Sequence, residues 1–212
     1  MMSQSSAVEA SRLPRVCRVG ALADLAAVYE KDVQICALPR PLPNAISAYL
    51  QGLEGRAIPR RVMETVPKGG RPELAALPDE AGKSALLDDL CLLCEIVVEL
   101  TDCDTVGVRL ARVDHAMCPG WHLDRVGVRL VCTYDGVGTQ WLADQTVDRG
   151  QLSSSEYQSL PYEEAAAGEI VLLKGSLWWG NETFGAIHRS PELPAEAGPR
   201  TVVTLDPLWL GD

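Results

Sequence analysis

The sequence predicts an α+β protein with a β core, and three observations carry that prediction. A helical period occupies the middle of the chain, where Leu86, Leu90, Leu93, Val97 and Leu100 recur at steps of four and three and share one face. From Thr105 onward short β-rich runs replace it, at 106–113, 126–134, 139–142, 170–173, 185–188 and 201–205. Clusters of Gly, Pro, Asp and Ser, such as Asp135-Gly136-Val137-Gly138, separate these runs, and no long helical pattern intervenes. Short strands joined by glycine turns point to a sandwich or barrel rather than a parallel α/β sheet.

Taken in order, residues 1–14 are polar and read as a flexible N-terminus. Residues 15–104 read as a helical buttress with one or two strands. The first candidate strand is 34–38, ended by Pro39, Pro41 and Pro43. Asn44 can then cap a short helix over 45–53. Residues 67–82, rich in Gly, Pro and charge, read as an irregular connection. Asp79 and Glu80 suit the positive end of the long helix that follows. Residues 105–212 form the β core, and the 212 residues make one integrated domain.

Composition narrows the classes of function. Hydrophobic residues at 47% and charged residues at 23% are ordinary for a globular chain. A net charge of −10 argues against a surface that tracks nucleic-acid phosphates. The first residues lack a basic stretch followed by an apolar run. The most apolar stretch, 86–100, carries Asp88, Asp89, Glu95 and Glu99 and is too short to span a bilayer. Seven cysteines without framework spacing read as reduced thiols. The expectation is a soluble cytoplasmic protein with no membrane or nucleic-acid partner. Cys91 and Cys94 form a CxxC, but they lie inside the helical pattern with no second CxxC, which favours core packing.

The sequence has three histidines, His115, His122 and His188, and the last two stand in settings that suggest chemistry. Cys118-Pro-Gly-Trp-His122-Leu-Asp124 runs straight into the 126–134 strand. In an extended chain, side chains two apart project to the same side, roughly 6.5–7 Å apart. His122 and Asp124 can therefore share one metal. If the extension continues, Val126, Val128, Leu130, Cys132 and Tyr134 lie on their side, and Arg125 and Arg129 on the other. His188, on a late strand, joins them if the sheet curls back. Two histidines and one carboxylate on one face leave three positions of an octahedral metal open, the pattern of non-heme Fe(II) oxygen chemistry. Arg200 opens the last strand twelve residues later, and its planar fork suits a buried carboxylate.

Competing readings stand beside this one. His115, Cys118 and His122 form H-x2-C-x3-H, usable by zinc if a further ligand arrives from elsewhere. Trp121, Trp141, Trp178 and Trp179 read either as core for the β half or as an aromatic wall beside the metal.

The order H-x-D, distal His, then Arg resembles the double-stranded β-helix, a jelly-roll or cupin-like fold, of the Fe(II)- and 2-oxoglutarate-dependent dioxygenases over roughly 105–206. The runs at 118–124, 129–142, 172–175 and 187–191 resemble, more closely, a bacterial family called domain of unknown function 1826. The first resemblance implies an oxygenase in which His122, Asp124 and His188 hold iron, Arg200 pairs with the distal carboxylate of 2-oxoglutarate, and Tyr134 or Lys174 assists. The second keeps open a non-catalytic metal-binding protein of zinc homeostasis, with zinc in place of iron. One departure from the dioxygenases is Val202, where many have a serine two places after the strand arginine.

Overall fold

A computed structural model describes residues 13–54, 56, 59–193 and 198–210, so the expectation for 1–14 falls almost wholly outside the described residues. Two sheets face each other. The large one has seven strands, β1 (Arg15–Arg18), β2 (Val33–Leu38), β3 (Arg61–Pro67), β4 (Thr105–Val113), β5 (Val128–Asp135), β8 (Ile170–Lys174) and β10 (Arg200–Leu208), in the order β1-β2-β8-β5-β10-β4-β3. The small one is built from β6 (Gln140–Leu142), β7 (Tyr162–Glu164) and β9 (His188–Arg189), in the order β7-β6-β9. A backbone bridge from His122 to His188 adds a fourth chain segment to it. Every strand pair is antiparallel except β1–β2.

The chain thus passes repeatedly between the two sheets after Thr105, as a jelly roll requires. Segment 15–104 contributes three strands to the large sheet rather than one or two. β1 and β3 were hidden because Arg15, Arg18, Arg61 and Glu64 interrupt their apolar residues at the sheet's two edges, where charge is tolerated.

Alternation divides the large sheet into two chemically different faces. Leu130, Cys132, Tyr134, Val203 and Leu205 point one way, into a core shared with the helices. Val131, Ala111, Leu173 and Val202 point the other way, toward Trp141 of the small sheet.

Two helices, α1 (Asn44–Gly52) and α2 (Lys83–Thr101), supply the helical side of the first core. Leu86, Leu90, Leu93 and Val97 of α2 are all at least 98% buried, at the predicted spacing. At roughly 1.5–3 kcal/mol per fully buried side chain, this stripe contributes more than any polar contact the helix makes. Asp79 and Glu80 lie before α2 rather than in its first turn, and Glu80 pairs with Arg56 instead. Gly82 precedes the helix at φ +95, and a side chain there would meet the Ala45 carbonyl oxygen at 2.5 Å, so α1 can approach only a glycine. At the other end Asp102, at φ 51, stops the helix.

Cys91 and Cys94 are unbridged residues of α2, Cys94 buried and Cys91 partly so. Burial pushes the thiols of Cys36, Cys94 and Cys132 up to about 12. An unfolded chain loses such protons at about pH 8.5. Above that pH the unfolded state binds fewer protons than the folded one, so stability falls as pH rises. Burial pulls Lys174 down to about 8 and Arg200 down to about 10, which opposes the trend, while the buried Tyr134 phenol, pushed up, adds to that of the three thiols. Denaturation midpoints in reductant should decline steadily from about pH 8.5 to about pH 11. A flat profile would contradict the burial of these thiols. No helix among the described residues is long and apolar enough to cross a membrane.

Candidate metal centre

His122 and His188 are held as cross-strand neighbours. Each donates its backbone N–H to the other's carbonyl, at 3.0 and 3.2 Å, and their rings lie 4.4 Å apart. Asp124 completes the set, its oxygens 3.8 Å from His122 Nε2 and 3.4 Å from His188 Nε2. One ligand atom from each residue lies within 4.8 Å of the others. Among the described residues no other group of three histidine, cysteine or acidic side chains is so disposed.

The backbone also selects the tautomer. His122 Nδ1 lies 2.9 Å from the Gly120 carbonyl oxygen, and His188 Nδ1 lies 3.0 Å from that of Ala186. A carbonyl can only accept, so each Nδ1 carries the hydrogen and each Nε2 presents a lone pair toward Asp124. Burial, together with the neighbouring His188, lowers the His122 pKa and favours the neutral, ligating form. For Asp124, burial acts to raise the pKa, but the adjoining His188 and the charge of Arg129 outweigh it. The carboxyl is held well below its usual range.

Arg129 is the residue that simple alternation misplaces. Its Nη1 donates to Asp124 at 2.7 Å, while Nε and Nη2 grip Asp206 at 2.7 and 2.9 Å. Unbroken extension from His122 would have put it on the opposite face. The chain instead bends at 125–127 before β5 begins, and the bend shifts the alternation by one. The turn after β8 holds that bend: Gly175, Ser176 and Leu177 donate backbone hydrogen bonds to Gly127, Asp124 and Val126. A side chain on Gly175 would lie 2.1 Å from the Val126 oxygen, so this contact admits only glycine. Gly127 beside Arg125 was the one signal that the strand does not run straight.

The same shift removes Tyr134 from the site. It lies on the helix face, 1% exposed, and donates its hydroxyl to Asp89 at 2.7 Å. Burial keeps its phenol protonated, and Arg40 pairs with the same carboxylate. Lys174 is likewise directed elsewhere. It shares its side of β8 with Ile170 and Leu172, donates to the Glu30 carbonyl at 2.8 Å and lies over the Trp178 ring.

Arg200 does face the triad's cavity, together with Val202 and Thr204 on the same side of β10. That cavity is about 340 Å³. Arg200 is 2% exposed, and Nη2 donates to Thr139 at 3.1 Å and Thr133 at 3.3 Å. Its Nε and Nη1 are buried with no partner among the described residues. Burial pulls even this guanidinium down to about 10. An unpaired buried charge is costly, so the arrangement is built for an anion.

The alternative zinc set is not assembled. His115 is exposed and bonded to Asp114, and Cys118 lines the cavity without joining the cluster. No tryptophan lines the cavity either. Trp121 and Trp141 lie in cores, and Trp179 is 94% exposed.

Arg129→Gln removes the charge that orients Asp124 while keeping all three ligands. Outer partners of this kind are typically worth 10–100-fold in metal affinity. A loss of about that size is expected by competition against a fluorescent chelator, and unchanged affinity would show that Arg129 serves Asp206 alone.

The family described as "Protein of unknown function (DUF1826)" matches residues 20–206. The chain belongs to the DUF1826 family. No curated protein matches it. Among solved structures, this DUF1826 chain is similar to the dioxygenase for auxin oxidation of rice, with 14% identity, TM-score 0.53, and 93% of this chain and 83% of that one covered. It is also similar to a full-length Neurospora crassa protein crystallised in complex with alpha-KG and thymine, with 14% identity, TM-score 0.51, and 94% and 87% covered. A Pseudomonas putida prolyl-4-hydroxylase aligns over 90% of this chain and all of its own, with 12% identity and TM-score 0.50. At these identities the likeness is one of fold.

Proposed function

We propose that this DUF1826 protein is an Fe(II)-dependent oxygenase that uses 2-oxoglutarate and O₂ to oxidise a substrate. One observation carries the reading. The His122–Asp124–His188 cluster shares its cavity with Arg200, a buried guanidinium with two unpartnered nitrogens. The donor set fits the metal: two neutral imidazole nitrogens and one carboxylate on one side suit Fe(II) with positions left open. When bound, Fe(II) with 2-oxoglutarate supplies the oxidising chemistry.

The chain's own residues would do the rest. Arg129 and the two backbone carbonyls fix the orientation of the ligands. Thr133 and Thr139 position the Arg200 fork for the distal carboxylate of the cosubstrate. Val131 and Val202 give the cavity an apolar wall that limits water. A zinc-binding protein without catalysis could use the same three ligands, but it would have no use for a buried arginine held ready beside them.

Metal content at purification will not separate the two, because zinc lies above iron in intrinsic affinity. Anaerobic titration of tag-free protein with Fe(II) and then 2-oxoglutarate will. The expected result is a visible charge-transfer band that saturates with 2-oxoglutarate, followed by its consumption on admitting O₂. Protein that neither develops the band nor consumes 2-oxoglutarate would leave the zinc reading in its place.

A further inference from the structure

The triad's cavity holds more positive charge than one cosubstrate carboxylate needs. Arg61, Arg109, Arg129, Arg189 and Arg200 line it, against the single carboxylate of Asp124. Arg129 is engaged with Asp124 and Asp206, and Arg189 with Gln140 and Gln158. Arg109 has no hydrogen-bond or ion-pair partner among the described residues, and its Nε is buried. Directly beside it on β10, paired in register, stands Thr204, whose hydroxyl is also buried without a partner. Arg61 lies at the exposed rim on β3, on the same side of the sheet, with only a 4.0 Å contact to the Met117 sulfur.

A guanidinium nitrogen and a hydroxyl, side by side on neighbouring strands, aimed into a cavity and both unsatisfied, make a receptor for an oxyanion. In a chain of net charge −10, an arginine-lined cavity also draws small anions out of solution. Because Arg200 takes 2-oxoglutarate under the oxygenase reading, on which this step rests, Arg109 and Thr204 are left for a second ligand.

We propose that the substrate of this enzyme is a small acid. Its carboxylate or phosphoryl group is held by Arg109 and Thr204, with Arg61 closing over it from the rim. These residues are specificity determinants: they fix which end of the substrate lies away from the metal, and the neutral analogue of the same molecule leaves them unpaired. Sites built around buried donors reject such analogues strongly.

The test uses the full chain carrying Arg200→Gln, metal-free, so that neither the cosubstrate anchor nor a bound ion contributes. Calorimetric titration with inorganic phosphate covers the phosphoryl class, and titration with succinate covers the carboxylate class. At least one should bind. Adding Arg109→Gln should weaken it at least tenfold, Arg109→Lys should restore part of the loss, and Thr204→Val should weaken it severalfold. Thr204→Val is isosteric, so it reports on the hydroxyl even if the arginine variants fold poorly. Absence of binding by both anions, or affinities indifferent to Arg109 and Thr204, overturns the proposal. So does a finding in otherwise wild-type protein that Arg109→Gln abolishes the 2-oxoglutarate band, because Arg109 would then serve the cosubstrate. A wild-type protein with no such band, but with Arg109-dependent anion binding, would sink the oxygenase reading and leave the anion site standing.

Discussion

Arg200→Ala is expected to keep the metal and lose 2-oxoglutarate. The guanidinium is 2% exposed, hydrogen-bonded on one nitrogen only, and opens toward the cavity that the three ligands line. Truncating one partner of a buried charge pair costs about 2–5 kcal/mol. At about 1.4 kcal/mol per factor of ten, cosubstrate binding should weaken on the order of 30- to several-thousand-fold. The charge-transfer titration reads this directly, and metal affinity measured in parallel should be little changed. A variant that binds 2-oxoglutarate like wild type would remove Arg200 from the site. Because the buried wild-type side chain has no charge partner among the described residues, Arg200→Ala should destabilise the fold less than truncation of a paired arginine does.

Asp124→Ala is expected to abolish metal binding at the concentrations where wild type is saturated. It removes the only anionic member of the cluster and frees Arg129 Nη1 to face two imidazoles. The loss should exceed the 10–100-fold typical of outer-shell substitutions, and so should exceed that of Arg129→Gln. Asp114→Ala is the control. That side chain is exposed, pairs with Arg60 and His115, and should leave metal content as it was, as surface pairs generally do. Equal metal content in the two variants would point back to His115 and Cys118.

Much of this was legible in the sequence because the physics behind it is local. The α2 stripe needs only the 3.6-residue period, and the strand runs after Thr105 need only alternation and glycine turns. That Arg200 shares a side with Val202 and Thr204 needs only one uninterrupted strand, whereas which side of that strand faces the ligands is decided by the folded sheet. Parity failed where the strand was interrupted. Carrying alternation across 125–127 put Tyr134 beside the ligands and Arg129 behind them, and the bend reverses both placements. Little that is local announced that bend, because it is held by the turn at 175–177, some fifty residues later. The partners of Tyr134 and Lys174, namely Asp89 and the Glu30 carbonyl, come from segments that only the folded sheet brings near. The edge strands β1 and β3 were missed because their arginines and glutamate look like loop until a neighbouring strand is known.

The reciprocal backbone bonds between His122 and His188 tie ion binding to the breathing of the protein. They are an isolated bridge at the end of a three-stranded sheet, where opening costs least. The two amides exchange with solvent only when the bridge parts, and parting it separates the imidazoles that an ion would hold together. An ion bound to both rings therefore stabilises the closed bridge by an amount set by its concentration relative to its dissociation constant. Hydrogen–deuterium exchange at these two amides should slow in proportion to metal occupancy, while the amides of the β4–β10 ladder on the opposite sheet stay as they were. The rim of the small sheet then acts as a latch, and its exchange rate measures how firmly the ion keeps it shut.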